Sequence, residues 1–242
     1  MTGLVVATFN CEWRASASLD AAVIKERLLA LVPDIVCLTE AYQDFFGDIG
    51  HVISAVPDYG YPLVEGRRKV LLWSRNPWRD VDVVGHPKLS SGRFVAGVTE
   101  TPLGDVHAVG VCIPWAKAHV GSGRRDRTTW EDHLTYLDGL ATYLPAEPQH
   151  LVLLGDFNQR MPRRYQPQHV ADALQQTVLD RLEIATSGVV PSVGRQAIDH
   201  ICHSRDLVAD SLEGISNVGP GNRLLSDHFG VGVRLSSASS IK

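Results

Sequence analysis

Leu151-Val152-Leu153-Leu154-Gly155-Asp156-Phe157-Asn158 is the stretch on which the reading of this chain turns. Four consecutive aliphatic residues are too few for a helix and read as a strand buried on both faces. Gly155 breaks the run, and an acid and an amide follow. An ionised carboxylate leaves water at a cost of several kcal/mol unless it is paired or holds a metal. A carboxylate at the mouth of a buried strand therefore marks a site, and in α/β sheets that mouth is where ligands bind. Asp156 and Asn158 stand two residues apart, so in an extended chain both face the same side. The plainer reading is a turn, since Asp and Asn bond readily to their own backbone.

Other segments repeat the pattern. Leu4 to Phe9 reads as a strand and leads into Asn10-Cys11-Glu12-Trp13, with Asn10 and Glu12 on one face. Ile35 to Thr39 is an apolar run ending in Glu40. Ala197-Ile198-Asp199-His200-Ile201-Cys202 places an acid inside an apolar strand. Ser226-Asp227-His228 leads into the alternating strand Phe229 to Leu235. A set of Asn, Glu, Asp and His at strand ends suits a hard divalent cation such as Mg²⁺, which prefers oxygen ligands.

These motifs are TFNCEW (Thr8–Trp13), LTE (Leu38–Glu40), GDFN (Gly155–Asn158), IDHI (Ile198–Ile201) and SDH (Ser226–His228). In this order they resemble the endonuclease/exonuclease/phosphatase superfamily, over nearly the whole chain. The resemblance implies an α/β (α+β) fold, a four-layered sandwich of two packed mixed β-sheets flanked by helices. It implies one domain over residues 1–242, the last few forming a flexible tail, and phosphoester hydrolysis with Mg²⁺ (or Mn²⁺). Glu40 then matches the principal metal ligand, with Asn10 and Glu12 close to the same ion and Asp227 at a second metal position. Asp156 matches the residue that activates the attacking water, and Asn158 the one that orients it or holds a phosphate oxygen. His228 faces the phosphate, and Asp199 bonds the far nitrogen of that histidine. No covalent intermediate is implied.

One departure stands out. The strand before the catalytic half usually carries a His or Tyr that contacts the phosphate. In Val109 to Trp115, aligned on Pro114, that position is Cys112. A thiol is a poor donor and does not replace an imidazolium or phenol. His119, Lys117 and Arg127 from the following loop are the expected substitutes.

The 242-residue length suits one large domain, and 44% hydrophobic residues suit a globular chain. No apolar run approaches the ~20 residues that span a bilayer. No export signal is visible, and Cys11, Cys37, Cys112 and Cys202 form no CxxC pair; the expectation is reduced thiols in a cytoplasmic monomer. A formal charge of −4 argues against a tight, sequence-independent nucleic-acid binder. Two local basic loops oppose that average: Lys117 to Arg127, and Arg160, Arg163 and Arg164 just after GDFN. A phosphate-bearing substrate accounts for them; ordinary solvated charge is the competing explanation.

Elsewhere, apolar spacing predicts helices over residues 19–32, 128–144 and 169–182, the first capped by Ser18 and stopped by Pro33. Strands are expected at residues 70–73, 81–84, 94–98 and 106–113. His200 alternates away from Asp199 and, with His203, reads as structural. Ser226, Asp227 and His228 are contiguous, so they form no Ser–His–Asp relay. Neither a GxSxG elbow nor a GxxxxGK[ST] loop occurs. The expected activity is a nuclease on DNA or RNA, with His119, Arg127, Arg160 and Arg164 on phosphates and Trp115 stacking on a base. The alternatives are a phosphatase or phosphodiesterase for a small or lipid phosphoester, and a non-catalytic binding module of the same fold.

Overall fold

A computed structural model of the chain describes residues 3–238. In chain order its strands are β1 Leu4–Asn10, β2 Ile35–Tyr42, β3 His51–Ser54, β4 Arg67–Ser74, β5 Trp78–Asp82, β6 Phe94–Thr101, β7 Gly104–Cys112, β8 Leu151–Asp156, β9 Glu183–Ile184, β10 Val189–Val190, β11 Arg195–Gln196, β12 Asp199–His203, β13 Leu207–Ile215 and β14 Gly230–Ser237. The helices are α1 Leu19–Ala30, α2 Glu131–Tyr143 and α3 Gln168–Leu174, the last continued by a π-turn over Gln175–Leu179. The expected C-terminal tail lies outside the described residues.

Two six-stranded mixed sheets form, in the orders β13-β14-β1-β2-β4-β3 and β5-β6-β7-β8-β12-β9. Each has one parallel pair at its centre, β1 with β2 and β7 with β8, and antiparallel partners outside it. Each parallel pair is joined through a helix, α1 or α2, because parallel neighbours need a crossover.

The two-residue strand period assigns the layers. Val152 and Leu154 of β8 join Leu4 and Val6 of β1, Ile35 of β2, Leu72 of β4 and Val231 of β14 in the core between the sheets. Leu151 and Leu153 turn outward onto Tyr136, Leu137 and Leu140 of α2. Phe9, Val36 and Leu38 turn outward onto Ala21, Ile24 and Leu28 of α1. The four-layered sandwich follows, with each central strand buried on both faces.

Ser18 caps α1, accepting from the Ala21 N–H at 3.1 Å. That helix ends at Ala30, before Pro33, because Val32 takes a left-handed conformation (φ 52°). α2 begins three residues later than expected, since Trp130 is also left-handed (φ 71°). Its buried stripe runs through His133, Tyr136, Leu137 and Leu140; Leu134 is only half-buried. The expected strand at residues 81–84 lies earlier, as β5, and β13 is a further edge strand whose exposed polar positions hide it from a search for apolar runs.

Gly155 is the tightest point of the sandwich. Its φ of +136° disfavours any L side chain, and an added Cβ would stand 2.0 Å from the Val111 carbonyl oxygen of β7. Asp156 reaches the strand mouth because nothing larger than glycine sits before it.

Candidate active site

At one end of the sandwich the carboxyl ends of β1, β2, β7 and β8 meet the starts of β4, β6, β12 and β14. The first group contributes Asn10, Glu40, Cys112 and Asp156. The second contributes Lys69, Arg93, Asp199 and, just before β14, Asp227 and His228. Asn10, Glu40, Asp156, Asn158, Asp227 and His228 all line one cavity of about 610 Å³.

Cys112, Asp156 and Asp199 stand side by side across β7, β8 and β12, each the register partner of the next. Asp199 Oδ2 accepts a 2.6 Å hydrogen bond from His228 Nδ1, while Asp199 Oδ1 is buried with no partner. This bond sets the ring, leaving Nε2 3.8 Å from Asp227 Oδ1. Ser226, fixed by donating to the Asn10 carbonyl at 2.8 Å, accepts from the His228 N–H at 3.1 Å. Asp156 accepts at both oxygens from Asn158, from its backbone N–H and its Nδ2, each at 2.9 Å. Asn158 Nδ2 also donates to the Ile113 carbonyl at 2.9 Å. The turn reading and the site reading of this pair therefore hold together: the turn aims the carboxylate.

Electrostatics separates the roles of these groups. Burial works against a charge on His228, but Asp199, then Asp156 and Asp227, outweigh it and raise its pKa to about 10. The ring is a held cation. Burial first, then the Asp199 charge, raises Asp156 to about 7 in spite of His228. Burial likewise raises Asp199. Burial takes the Cys112 thiol up to about 12, so it is no thiolate nucleophile.

A divalent cation fits part of this set. Glu40, Asn10, Asp156 and Asp227 offer the hard oxygen atoms that Mg²⁺ or Mn²⁺ prefers. Glu40 Oε1 accepts from Lys69 Nζ, and no hydrogen bond among the described residues engages its Oε2. Asn10 Oδ1 caps the Glu12 N–H at 2.9 Å, and a carbonyl oxygen keeps a second lone pair. Asp156, Asp199 and His228 also bring ligand atoms within 4.8 Å of one another. There the tightly held His228 proton already occupies the place a metal would take, so the Glu40 side is the better fit.

Glu12, His119 and Arg127 line neither this cavity nor the groove beside it. Glu12, in a left-handed turn (φ 46°), pairs with Arg14 at 3.0 Å on the surface. His119 is fully buried on Tyr61, its Nδ1 accepting from the Arg124 N–H at 3.3 Å and its Nε2 3.6 Å from Asp132. Arg127 donates its Nε to Asp132 of α2 at 2.6 Å, which takes up its charge away from the cavity. Trp115 does line the cavity, 45% exposed. Arg160 and Arg164 line a smaller groove of about 160 Å³ on the far side of His228, with Tyr165 and Arg195. Tyr165 is 71% exposed between the guanidinium groups of Arg160 and Arg164, at 5.4 and 5.1 Å from its ring.

Sequence reading overlooked Lys69, Arg93 and an aromatic wall of Trp13, Tyr59 and Tyr61, with adjacent ring centroids 5.7 and 5.8 Å apart. The one available signal was a cation immediately before an apolar run, in Lys69-Val70-Leu71-Leu72 and in Arg93-Phe94-Val95-Ala96. It is the mirror image of the acid-after-strand signal.

Two mixed sheets with acid, amide and imidazole groups at one shared edge define a phosphoesterase type of sandwich. The sequence profile of the Endonuclease/Exonuclease/phosphatase family matches residues 7–228, and the chain belongs to that family. Its members are phosphoester hydrolases and are generally dependent on a divalent metal. The fold is similar to a 3'-5' exonuclease (NExo) from Neisseria meningitidis, at 19% identity and a TM-score of 0.67, covering 95% of this chain and 98% of that one. It is also similar to the human Nocturnin catalytic domain (17%, TM-score 0.67, covering 98% and 94%). Sphingomyelinase C from Streptomyces griseocarneus is a third (16%, TM-score 0.59, covering 97% and 99%). No curated protein matches the sequence. Among the described residues no helix is long and apolar enough to cross a membrane.

Proposed function

We propose that this protein is a Mg²⁺- or Mn²⁺-dependent phosphodiesterase that hydrolyses nucleic acid. The observation that carries the reading is the meeting of two opposite groups at one cavity, their polar atoms within 4.8 Å: a histidine held protonated by Asp199, and a carboxylate, Asp156, whose pKa of about 7 suits a general base. Ionised Asp156 takes a proton from the attacking water, and Asn158 holds that carboxylate in place. His228 donates Nε2–H to a non-bridging phosphoryl oxygen, which gains charge as the water adds in line. A divalent cation on Glu40 and Asn10 would supply Lewis-acid polarisation and stabilise the departing oxyanion, with Asp227 available to a second position. Water attacks directly, with no covalent intermediate.

The substrate class is supported by what surrounds these groups. Trp115, 45% exposed at the cavity, offers a ring to a base on one side of His228, beside the packed aromatic wall of Trp13, Tyr59 and Tyr61. Arg160, Arg164 and Arg195 offer charge to flanking phosphates on the other, around the exposed Tyr165. A chain threading both openings is a diester with neighbours on each side. The NExo structure bound to product DNA hairpin, among the similar folds, points the same way. Four buried free thiols support a cytoplasmic setting. The second reading is a small phosphoester, since about 610 Å³ also accommodates an entire small ligand.

The test is cleavage of supercoiled plasmid, linear duplex, single strands and RNA by the native protein and by His228→Ala, with Mg²⁺, Mn²⁺ or EDTA. Cleavage that requires both the metal and His228 is the expected result. A native protein inert on every nucleic acid yet releasing phosphate from soluble monoesters would establish the second reading instead.

A further inference from the structure

Arg93 is the largest fully buried side chain of the described residues, 1% exposed. A guanidinium keeps its charge at any physiological pH and presents five N–H donors. Burying it without an opposite charge is costly, and proteins normally pair such a group. This one forms no ion pair among the described residues. Its Nε has no hydrogen-bond partner, and its Nη1 meets only the Cys112 carbonyl at 3.3 Å and the Cys112 Sγ at 3.7 Å. Yet Arg93 lines the cavity that holds Asp156, Asn158 and His228.

The backbone fixes Arg93 there from two sides. Its carbonyl accepts from the Cys112 N–H at 3.0 Å and from the Tyr136 hydroxyl at 2.8 Å. Gly92 before it has φ +70°, and an added Cβ would stand 2.5 Å from the Asp58 carbonyl oxygen, so the turn delivering Arg93 admits only glycine. Arg93 is also the ladder neighbour of Cys112, the position where the family usually carries a His or Tyr. A thiol side chain is short. An imidazole or phenol in its place would extend over the guanidinium, whereas Cys112 leaves Arg93 next to the cavity.

We propose that Arg93 is a second phosphoryl-binding cation of this site, beside His228, donating to a non-bridging oxygen in place of the His or Tyr absent at position 112. The inference rests on the phosphoesterase reading above. The anion supplies the counter-charge that Arg93 lacks, and the planar fork suits two oxygens of a phosphoryl group. Lys69, already paired with Glu40, is left to balance that carboxylate.

The experiment is calorimetric titration of inorganic phosphate into the native protein, Arg93→Met and Arg93→Lys, alongside turnover of the best nucleic-acid substrate and a circular-dichroism check of folding. Loss of a hydrogen-bonded charge predicts phosphate affinity weaker by roughly 10- to 100-fold in Arg93→Met. Arg93→Lys keeps the charge without the fork and should fall between; it decides the matter if Arg93→Met does not fold. Free guanidinium, but not urea, should restore part of the turnover of Arg93→Met. Native phosphate affinity in the folded variants would overturn the role of Arg93, while turnover of nucleic acid by the native protein would leave the phosphoesterase reading standing. A native protein with neither phosphate binding nor turnover would remove both.

Discussion

Asp156 and Asp199 occupy facing positions of the β8–β12 ladder, on the face that packs toward the other sheet. Two buried carboxylates so close do not both ionise freely, and after burial the Asp199 charge is what raises Asp156. The charge of His228 resolves this by taking Asp199 as its own partner through the 2.6 Å bond. Asp156 is left with a pKa of about 7, which suits the proton acceptor of the proposed reaction. In the proposed reaction identical side chains thereby take different duties, one positioning and one reacting. A one-residue slip of β12 would turn Asp199 toward the α2 side and leave the histidine unsupported.

Asp199→Asn tests that division. An amide keeps the shape and loses the charge that outweighs the burial of His228, so the histidine pKa moves down from about 10. Between that lowered value and pH 10 the native ring is charged and the variant's is neutral. Turnover should fall by roughly 10²- to 10³-fold at pH 8 and by less at pH 6. The native profile should rise through about pH 7 as Asp156 ionises and decline near pH 10 as His228 loses its proton. A variant profile parallel to the native one would show that Asp199 does not act through the charge of His228.

Much of this site was legible in the sequence, and the reason is local. Asp156, Asn158, Glu40 and Asn10 each follow a strand, where an acid or amide after an apolar run is conspicuous. His228 and Asp199 stand beside strand starts and carried the same contrast. Glu12, His119 and Arg127 lie away from the cavity because left-handed turns and a buried partner, Asp132, decide where they point, and neither is written in residue spacing. Arg93 was invisible because its meaning comes from lacking a partner, which only packing reveals. The sheets were readable from apolar period; the edge strand β13, half exposed, was not.

Gly155→Ala should damage the fold more than any change at the reacting groups. The added methyl would meet the Val111 carbonyl oxygen at 2.0 Å, and its φ of +136° is hostile to a Cβ. Both errors fall in the central parallel pair β7–β8, where neither strand can move without disturbing a core on each face. The expected cost is about 3 to 5 kcal/mol by urea denaturation, against less than about 1 kcal/mol for His228→Ala. A loss below about 1 kcal/mol for Gly155→Ala would mean that β8 shifts easily.

His133 should make stability depend on pH. It is buried in α2, Nδ1 donating to the Pro114 carbonyl at 2.7 Å and Nε2 accepting from Gln159 at 2.8 Å, so the ring is neutral. Burial lowers its pKa to about 4, below the 6.5 of an exposed histidine. The unfolded chain therefore binds the proton more tightly. The stability owed to the neutral ring is complete above pH about 6.5 and is lost as pH falls toward 4. His133→Gln removes this dependence, so its destabilising effect should be about 2 kcal/mol smaller at pH 5 than at pH 7.5. An equal effect at both pH values would show that the folded ring takes a proton as readily as a free one.

Arg160 and Arg164 separate a threaded nucleic acid from a small phosphoester. Neither guanidinium pairs with a carboxylate among the described residues, and both lie against Tyr165 beyond His228. If they hold flanking phosphates, each contact releases counterions when the strand binds. Binding of a single-stranded oligonucleotide to the His228→Ala protein, measured by fluorescence anisotropy from low to moderate salt, gives a log–log slope. Adding Arg160→Ala and Arg164→Ala should make that slope shallower by about 1 to 1.5 and weaken binding at low salt. Tyr165→Ala should instead weaken binding with the slope unchanged, by about 1 to 3 kcal/mol, because a stacked ring carries no charge. An unchanged slope in the double arginine variant would place the strand elsewhere and return the groove to ordinary surface charge.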